Sequence, residues 1–217
     1  MIYGCGGSQK MKIKIVGLFV CMLLIMTILP LTVCAGDPEN PEISDATGDA
    51  RANVDLQKAW FSEDSTTPGF LYITIQVVLL QSQYQGTSQN VVLWTMNNVK
   101  YLVFGGVGKY LSGINGLYVD VGRAGIFSQF TKINGSMDLN TNTITCKIPK
   151  SLIGNPHAGD ALTKTYAGTS QRTPLMEKLG RDAYFMTQFF QKLGKSSLGW
   201  MDQAPDSGYG KDYIIQY

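Results

Sequence analysis

The chain has 217 residues, 18 of them basic and 16 acidic, with one histidine and four cysteines. Lys10, Lys12 and Lys14 carry all the charge before Gly36, so residues 36–217 hold 15 basic against 16 acidic residues, a formal charge of −1. This balance, without a basic stripe, argues against nucleic acid as a partner. Cys5, Cys21 and Cys34 all precede Gly36, so Cys146 stands alone beyond it, which excludes an internal disulfide or a cysteine-built zinc site in that part.

Residues 1–35 read as a secretory signal peptide: Lys12 and Lys14, an apolar run from Ile15 to Leu31, and a Val33-x-Ala35 cleavage pattern. Met11 is a plausible start within it. The apolar run is also about long enough to serve as a retained anchor, and a lipid-anchored Cys34 is a third option, although Val33 is bulky for the preceding position. Each of these readings places residues 36–217 outside the cell, secreted or at the cell surface.

The outer part begins with an acidic, extended lead-in over 36–53, with two prolines and no aromatic residue. Strand chemistry follows. Val54–Glu63 is a first candidate, and Leu71–Val77 alternates Ile73, Ile75 and Val77 with Thr74 and Gln76, the period of a half-buried strand. Val91–Met96 and Val99–Phe104 flank Asn97-Asn98, a tight hairpin turn. Gly116–Val121, Ile126–Ile133, Ser136–Leu139 and Thr143–Ile148 continue the series. Pro149–Gly154 reads as one helical turn, and Thr163–Ser170 as a further strand. Turn residues about every ten positions are the spacing of an antiparallel sandwich. Cys146, within Thr143–Ile148, reads as a small buried hydrophobe.

Between Pro174 and Leu193 the period changes. Leu175, Met176, Leu179, Ala183, Met186, Phe189, Phe190 and Leu193 recur at three- and four-residue steps, which predicts an amphipathic helix with Pro174 in its first turn and Gly194 at its end. It either lies over the sandwich or presents a Met/Phe stripe to a membrane or partner. The expected architecture is therefore an all-β, antiparallel, jelly-roll-like β-sandwich over 54–217, with this helix inserted at 174–193.

Several stretches resemble a known group. Ile43–Asp49 (ISDATGD), Val54–Trp60 (VDLQKAW) and Leu71–Val77, then Ile148–Leu162 and Asp202–Tyr213 with its Asp-x-Ala-Pro start, resemble the DOMON-like domains and their relatives in carbohydrate-binding module family 9, found on prokaryotic surface proteins. The resemblance spans most of 43–213, and the helix at 174–193 departs from it. It implies a β-sandwich and a binding rather than catalytic role, with a glycan or another cell-surface component as partner. In that group haem needs Met and His axial ligands, and the lone His157 sits in a Pro-His-Ala-Gly turn, so haem is not expected.

Two sets of residues carry candidate chemistry. Asp45 and Asp49 flank a turn at Gly48, Asp55 opens a strand, and Asp202, Asp206 and Asp212 gather near the C-terminus. If the two loops meet, Asp45, Asp49, Asp202 and Asp206 suit a structural Ca²⁺, which takes six to eight oxygens in a flexible cage. The alternative is that each aspartate caps its own turn. Trp200, Tyr209 and Tyr213 are the candidate rings for a sugar platform, whereas Trp60 and Trp94 lie in strands and read as core. Asn134-Gly-Ser136 is an N-glycosylation acceptor that also suits a hairpin turn. The glycine run Gly105–Tyr110 lacks phosphate-loop spacing and reads as a hairpin or bulge. No Gly-x-Ser-x-Gly elbow accompanies His157, and Glu63-Asp64 are adjacent on a strand end and point apart. The reading is thus a non-enzyme: an exported surface binding or interaction module with carbohydrate as candidate ligand. The alternative is an envelope-associated structural protein docking to a membrane or a complex through 174–193.

Overall fold

A computed structural model describes residues 36–81, 87–109, 115–124, 130–172 and 202–217. Every described residue belongs to one compact unit. The expected signal segment 1–35, the helix expected over 174–193, and Trp200 lie outside the described residues. Among the described residues no helix is long and apolar enough to cross a membrane.

The described residues form twelve strands in two antiparallel sheets. The first runs β1 (Ile43–Ser44), β2 (Leu56–Ser62), β3 (Phe70–Val77), β9 (Thr143–Pro149), β8 (Asn134–Asp138). The second runs β11 (Asp202–Ala204), β10 (Ala161–Arg172), β4 (Thr87–Met96), β5 (Val99–Lys109), β6 (Asn115–Arg123), β7 (Thr131–Lys132), with β12 (Tyr213–Ile214) also paired to β10. This is the all-β sandwich that the turn spacing predicts. One 3₁₀ turn, Lys150–Ile153, occupies the place of the expected helical turn. At the β4–β5 hairpin, Asn97 and Asn98 have φ of 48° and 61°, as a two-residue type I′ turn requires.

Register explains the core. In the first sheet Phe61 pairs with Ile73 and Ile73 with Cys146; one step along, Ala59, Ile75 and Ile144 form a second row. In the second sheet Ala204, Ala167, Val92, Val103 and Val121 form a row across five strands, and Trp94 stacks on Tyr101 at 5.9 Å. These rows face each other as one apolar cluster. Trp60 and Trp94 are buried, as their strand positions predict, and so is Cys146, whose thiol burial pushes up to about 12.

Three local expectations are corrected. The lead-in is part of the sandwich: Ile43 pairs with Ala59 and is fully buried, and Glu42, also buried, accepts the Phe61 N–H at 2.9 Å. An acidic stretch with a single well-placed isoleucine can therefore still supply an edge strand. Gly105 and Gly106 lie inside β5 rather than in a hairpin or bulge, because the sheet needs room there. A Cβ at Gly105 would come within 2.9 Å of Ile144, and one at Gly106 within 2.3 Å of the Ser88 carbonyl and the Tyr118 hydroxyl. Asn134-Gly135 opens β8 instead of turning a hairpin; the β8–β9 turn falls at 139–142, and Asn134 is exposed.

At the opposite end of β2, Lys150 and Glu63 form a buried ion pair at 2.5 Å. Glu63 also accepts the Tyr213 hydroxyl at 3.1 Å and the Gln216 N–H at 2.6 Å, and Lys150 donates to the Tyr217 carbonyl. The C-terminal strand is thereby tied to the first sheet. Asp64, beside Glu63 in sequence, faces outward and caps its turn through Thr66. The two carboxylates thus point apart and do different work.

Candidate metal centre

Where the two sheets meet along one edge, five aspartates converge. Asp45 follows β1, and its N–H is held by the Gln57 carbonyl at 3.0 Å. Asp49 ends the turn at Gly48, Asp55 immediately precedes β2, Asp202 opens β11 and Asp206 follows it. Two trios result, Asp45–Asp49–Asp206 and Asp49–Asp55–Asp202, and within each trio one carboxylate oxygen per residue lies within 4.8 Å of the others. The four aspartates expected to bind metal are thus brought together. Asp55 joins them; its place at a strand start was visible in the sequence, but its inward aim was not. Asp212 belongs to neither trio.

Backbone geometry fixes the carboxylates. Gly48, at φ 96°, adopts a conformation that favours glycine, and its N–H donates to Asp55 Oδ2 at 2.7 Å. Asp202 Oδ2 accepts the Leu56 N–H at 2.5 Å and Oδ1 its neighbour Gln203 N–H at 2.7 Å, so this residue of the second sheet caps the start of β2 in the first. The Thr169 hydroxyl, opposite Asp202 in register, donates to the Val54 carbonyl and closes the same seam. Outside the trios, Tyr166 donates to Gln203 Oε1 at 2.9 Å, and Gln203 Nε2 donates to the Asp206 carbonyl at 3.2 Å.

The electrostatics are one-sided. Asp55 is 2% exposed and Asp202 7%. Asp55 Oδ1 and Asp45 Oδ2 are buried without a hydrogen-bond partner among the described residues. The single ion pair among those residues is Lys150–Glu63, so none of the five aspartates has a basic partner among the described residues. Burial first, then the charges of Asp202 and Asp206, pushes the Asp45 carboxyl up to about 7. Burial also raises Asp202, against the lowering by its two N–H donors, and burial with the charges of Asp45 and Asp202 raises the Tyr166 hydroxyl. Two unit charges 4.8 Å apart repel by about 3 kcal/mol at an effective dielectric of 20. Turn capping accounts for one oxygen of Asp55 and for both of Asp202, but not for five like charges in one place with two bare oxygens. A hard divalent cation at the cluster would relieve that repulsion through those oxygens. Carboxylate oxygens are donors that hard cations such as Ca²⁺ and Mg²⁺ take.

Of the three candidate platform rings, Trp200 lies outside the described residues and Tyr213 does not reach the surface. Tyr213 is 2% exposed, its ring 5.5 Å from Phe61 and its hydroxyl on Glu63, because β12 turns it into the core. Tyr209 is 61% exposed, in the loop that carries Asp206. His157 is exposed in its turn, its N–H on Asp160. Comparison with family models, curated proteins and solved structures returns no match.

Proposed function

We propose that the protein is an exported, non-catalytic β-sandwich module that binds a cell-surface component and is held in its working shape by Ca²⁺ at the aspartate cluster. One observation carries the reading: five carboxylates from segments up to about 160 residues apart in sequence converge on one seam without a basic partner among the described residues, and two of their buried oxygens accept no hydrogen bond from those residues. Such a cluster is costly without a cation and stabilising with one. The ion would hold β1 and β2 of one sheet against β11 of the other, so its role is structural.

The binding role is drawn from the resemblance to DOMON-like and family 9 carbohydrate-binding domains, and a glycan is the ligand class that likeness suggests. Tyr209, exposed in the Asp206 loop, is the ring among the described residues best placed for it. The sequence features of export agree with a Ca²⁺ role, since hard-cation sites of modest affinity fill readily where Ca²⁺ is abundant.

Thermal unfolding of the purified protein in EDTA and in excess Ca²⁺ tests the ion. A ligand that binds only the folded state at 100 times its dissociation constant contributes about 2.7 kcal/mol. A clear rise in the midpoint with Ca²⁺ is expected, and identical curves would reject the reading. Glycan-array binding in Ca²⁺, compared for the protein and Tyr209→Ala, tests the ligand.

A further inference from the structure

We infer that the outward face of the second sheet is the seat of the chain's own segment 174–193, whose apolar stripe lies on Val91, Leu93, Leu102 and Phe104. This goes beyond the Ca²⁺ reading and does not depend on it. Register puts these four side chains on one face. Val91 lies opposite Phe104 and Leu93 opposite Leu102, and they alternate with Val92, Trp94 and Val103, which face the first sheet. They form an apolar cluster separate from the core between the sheets.

The burial of that cluster calls for a cover. The outer face of an antiparallel sheet commonly meets water, and in the first sheet it is mostly polar and partly exposed, with Lys58, Gln76, Thr145 and Lys147. In the second sheet Val91 and Leu102 are 0% exposed, and Leu93 and Phe104 8%. Gln89, on the same face, is also buried. Among the described residues Ala124, Phe130 and Tyr166 pack against the cluster, and each is itself partly exposed. Three such side chains do not close a whole face to water. Nor is any of Phe104, Tyr118, Asp120 and Gln203, which register places on this same face, free.

Connectivity selects the occupant. The chain leaves this sheet at Arg172, the end of β10, and rejoins it at Asp202, the start of β11, and β10 lies between β11 and β4. Residues 173–201 are therefore tethered at both ends beside the cluster. Within them Leu175, Met176, Leu179, Met186, Phe189 and Leu193 recur at helical steps. A helix over 174–193 is roughly 30 Å long, and β5, with 11 residues, spans about 36 Å, so the stripe fits along the strands. Segments 82–86, 110–114 and 125–129 are short links taken up in joining consecutive strands. A stripe seated on the sheet is not available to a membrane, so envelope docking through 174–193 would lose its surface.

Cross-linking decides the question. The protein, with methionine replaced by its diazirine analogue, is irradiated at low concentration, and linked peptides are identified by mass spectrometry. Met176 and Met186 should link to peptides carrying Val91–Phe104 of the same molecule. Links found only between isotopically distinct copies would assign the face to a second chain and overturn the proposal. Links from these two methionines to lipid instead of the sheet, in vesicles of phosphatidylglycerol and phosphatidylcholine, would make the stripe a membrane surface and also overturn it, as would links to neither. The double variant Met186→Ser/Phe189→Ser should bare the face and raise the binding of an apolar dye several-fold while the strand signal in circular dichroism is kept. Unchanged dye binding with that signal kept counts against the proposal. The cross-link map needs no variant and is decisive even if this one fails to fold.

Discussion

The substitution Asp55→Asn should act in opposite directions with and without Ca²⁺, and the structure sets the size of both effects. Asparagine keeps an acceptor for the Gly48 N–H, the one hydrogen bond that the Asp55 carboxylate makes, so the change removes charge with little loss of local structure. In EDTA, Asp55 lies within 4.8 Å of carboxylate oxygens of Asp49 and Asp202. Each contact is worth about 3 kcal/mol of repulsion at a dielectric of 20 before solvent screening. Asp49 is exposed and its share is heavily screened, so the net relief should be about 1–2 kcal/mol. In Ca²⁺ the same change removes a ligand and with it most of the roughly 2.7 kcal/mol that the ion contributes at 100 times its dissociation constant. For a domain of this size 1 kcal/mol moves the midpoint by about 2–4 °C. The variant should therefore melt about 2–8 °C above the parent in EDTA; in Ca²⁺ its relief of repulsion offsets part of the lost ion contribution and leaves a deficit of about 0.7–1.7 kcal/mol, so it should melt about 1–7 °C below the parent. Circular dichroism melts of both proteins in both buffers measure the crossing. Equal destabilisation in the two buffers would refute the electrostatic argument and reduce Asp55 to a cap on Gly48.

In the cation-free protein, stability should fall as pH rises from about 5 to 7.5, because the Asp45 carboxyl, raised to about 7, binds its proton more tightly folded than unfolded, and that advantage is lost as pH passes through the folded value. Asp45→Asn should flatten this slope, and urea unfolding across pH reads it. Breaking the buried Lys150–Glu63 pair by Lys150→Met should cost about 3–5 kcal/mol, while the double change with Glu63→Gln, which removes the charge but keeps an acceptor for the Tyr213 hydroxyl and the Gln216 N–H, should recover much of it; denaturant midpoints compare the two. The Cys146 thiol, fully buried and raised to about 12, should resist a thiol reagent in the native protein and react at once in urea; fast native labelling would mean that the sheets separate.

The strands were legible because their signals are local. Alternation over Leu71–Val77, paired asparagines at 97–98 and turn residues every ten positions specify strand and hairpin without reference to the rest of the chain. The aspartates at 45, 49, 202 and 206 were visible as a possible set for the same reason, each lying in a Gly- or Pro-rich loop. Composition misled where burial depends on partners. The acidic lead-in supplies a buried strand through Ile43, and Tyr213, grouped with Tyr209 by sequence distance, is turned inward by the pairing of β12 with β10. Gly105 and Gly106 look like loop glycines, but their task is to let Ile144 and Tyr118 approach, and those side chains come from other strands.

What the sequence determined by itself was the class of the described segments: strands with one buried face, and loops rich in carboxylates. What only the tertiary structure decided was which carboxylates meet. That depends on β11 pairing with β10 in one sheet while Asp202 caps β2 in the other, contacts between residues about 146 apart that no local pattern encodes. Burial of Asp55 and Asp202 then removes water that would otherwise screen their charges, and it is this tertiary arrangement on which the proposed cation site rests.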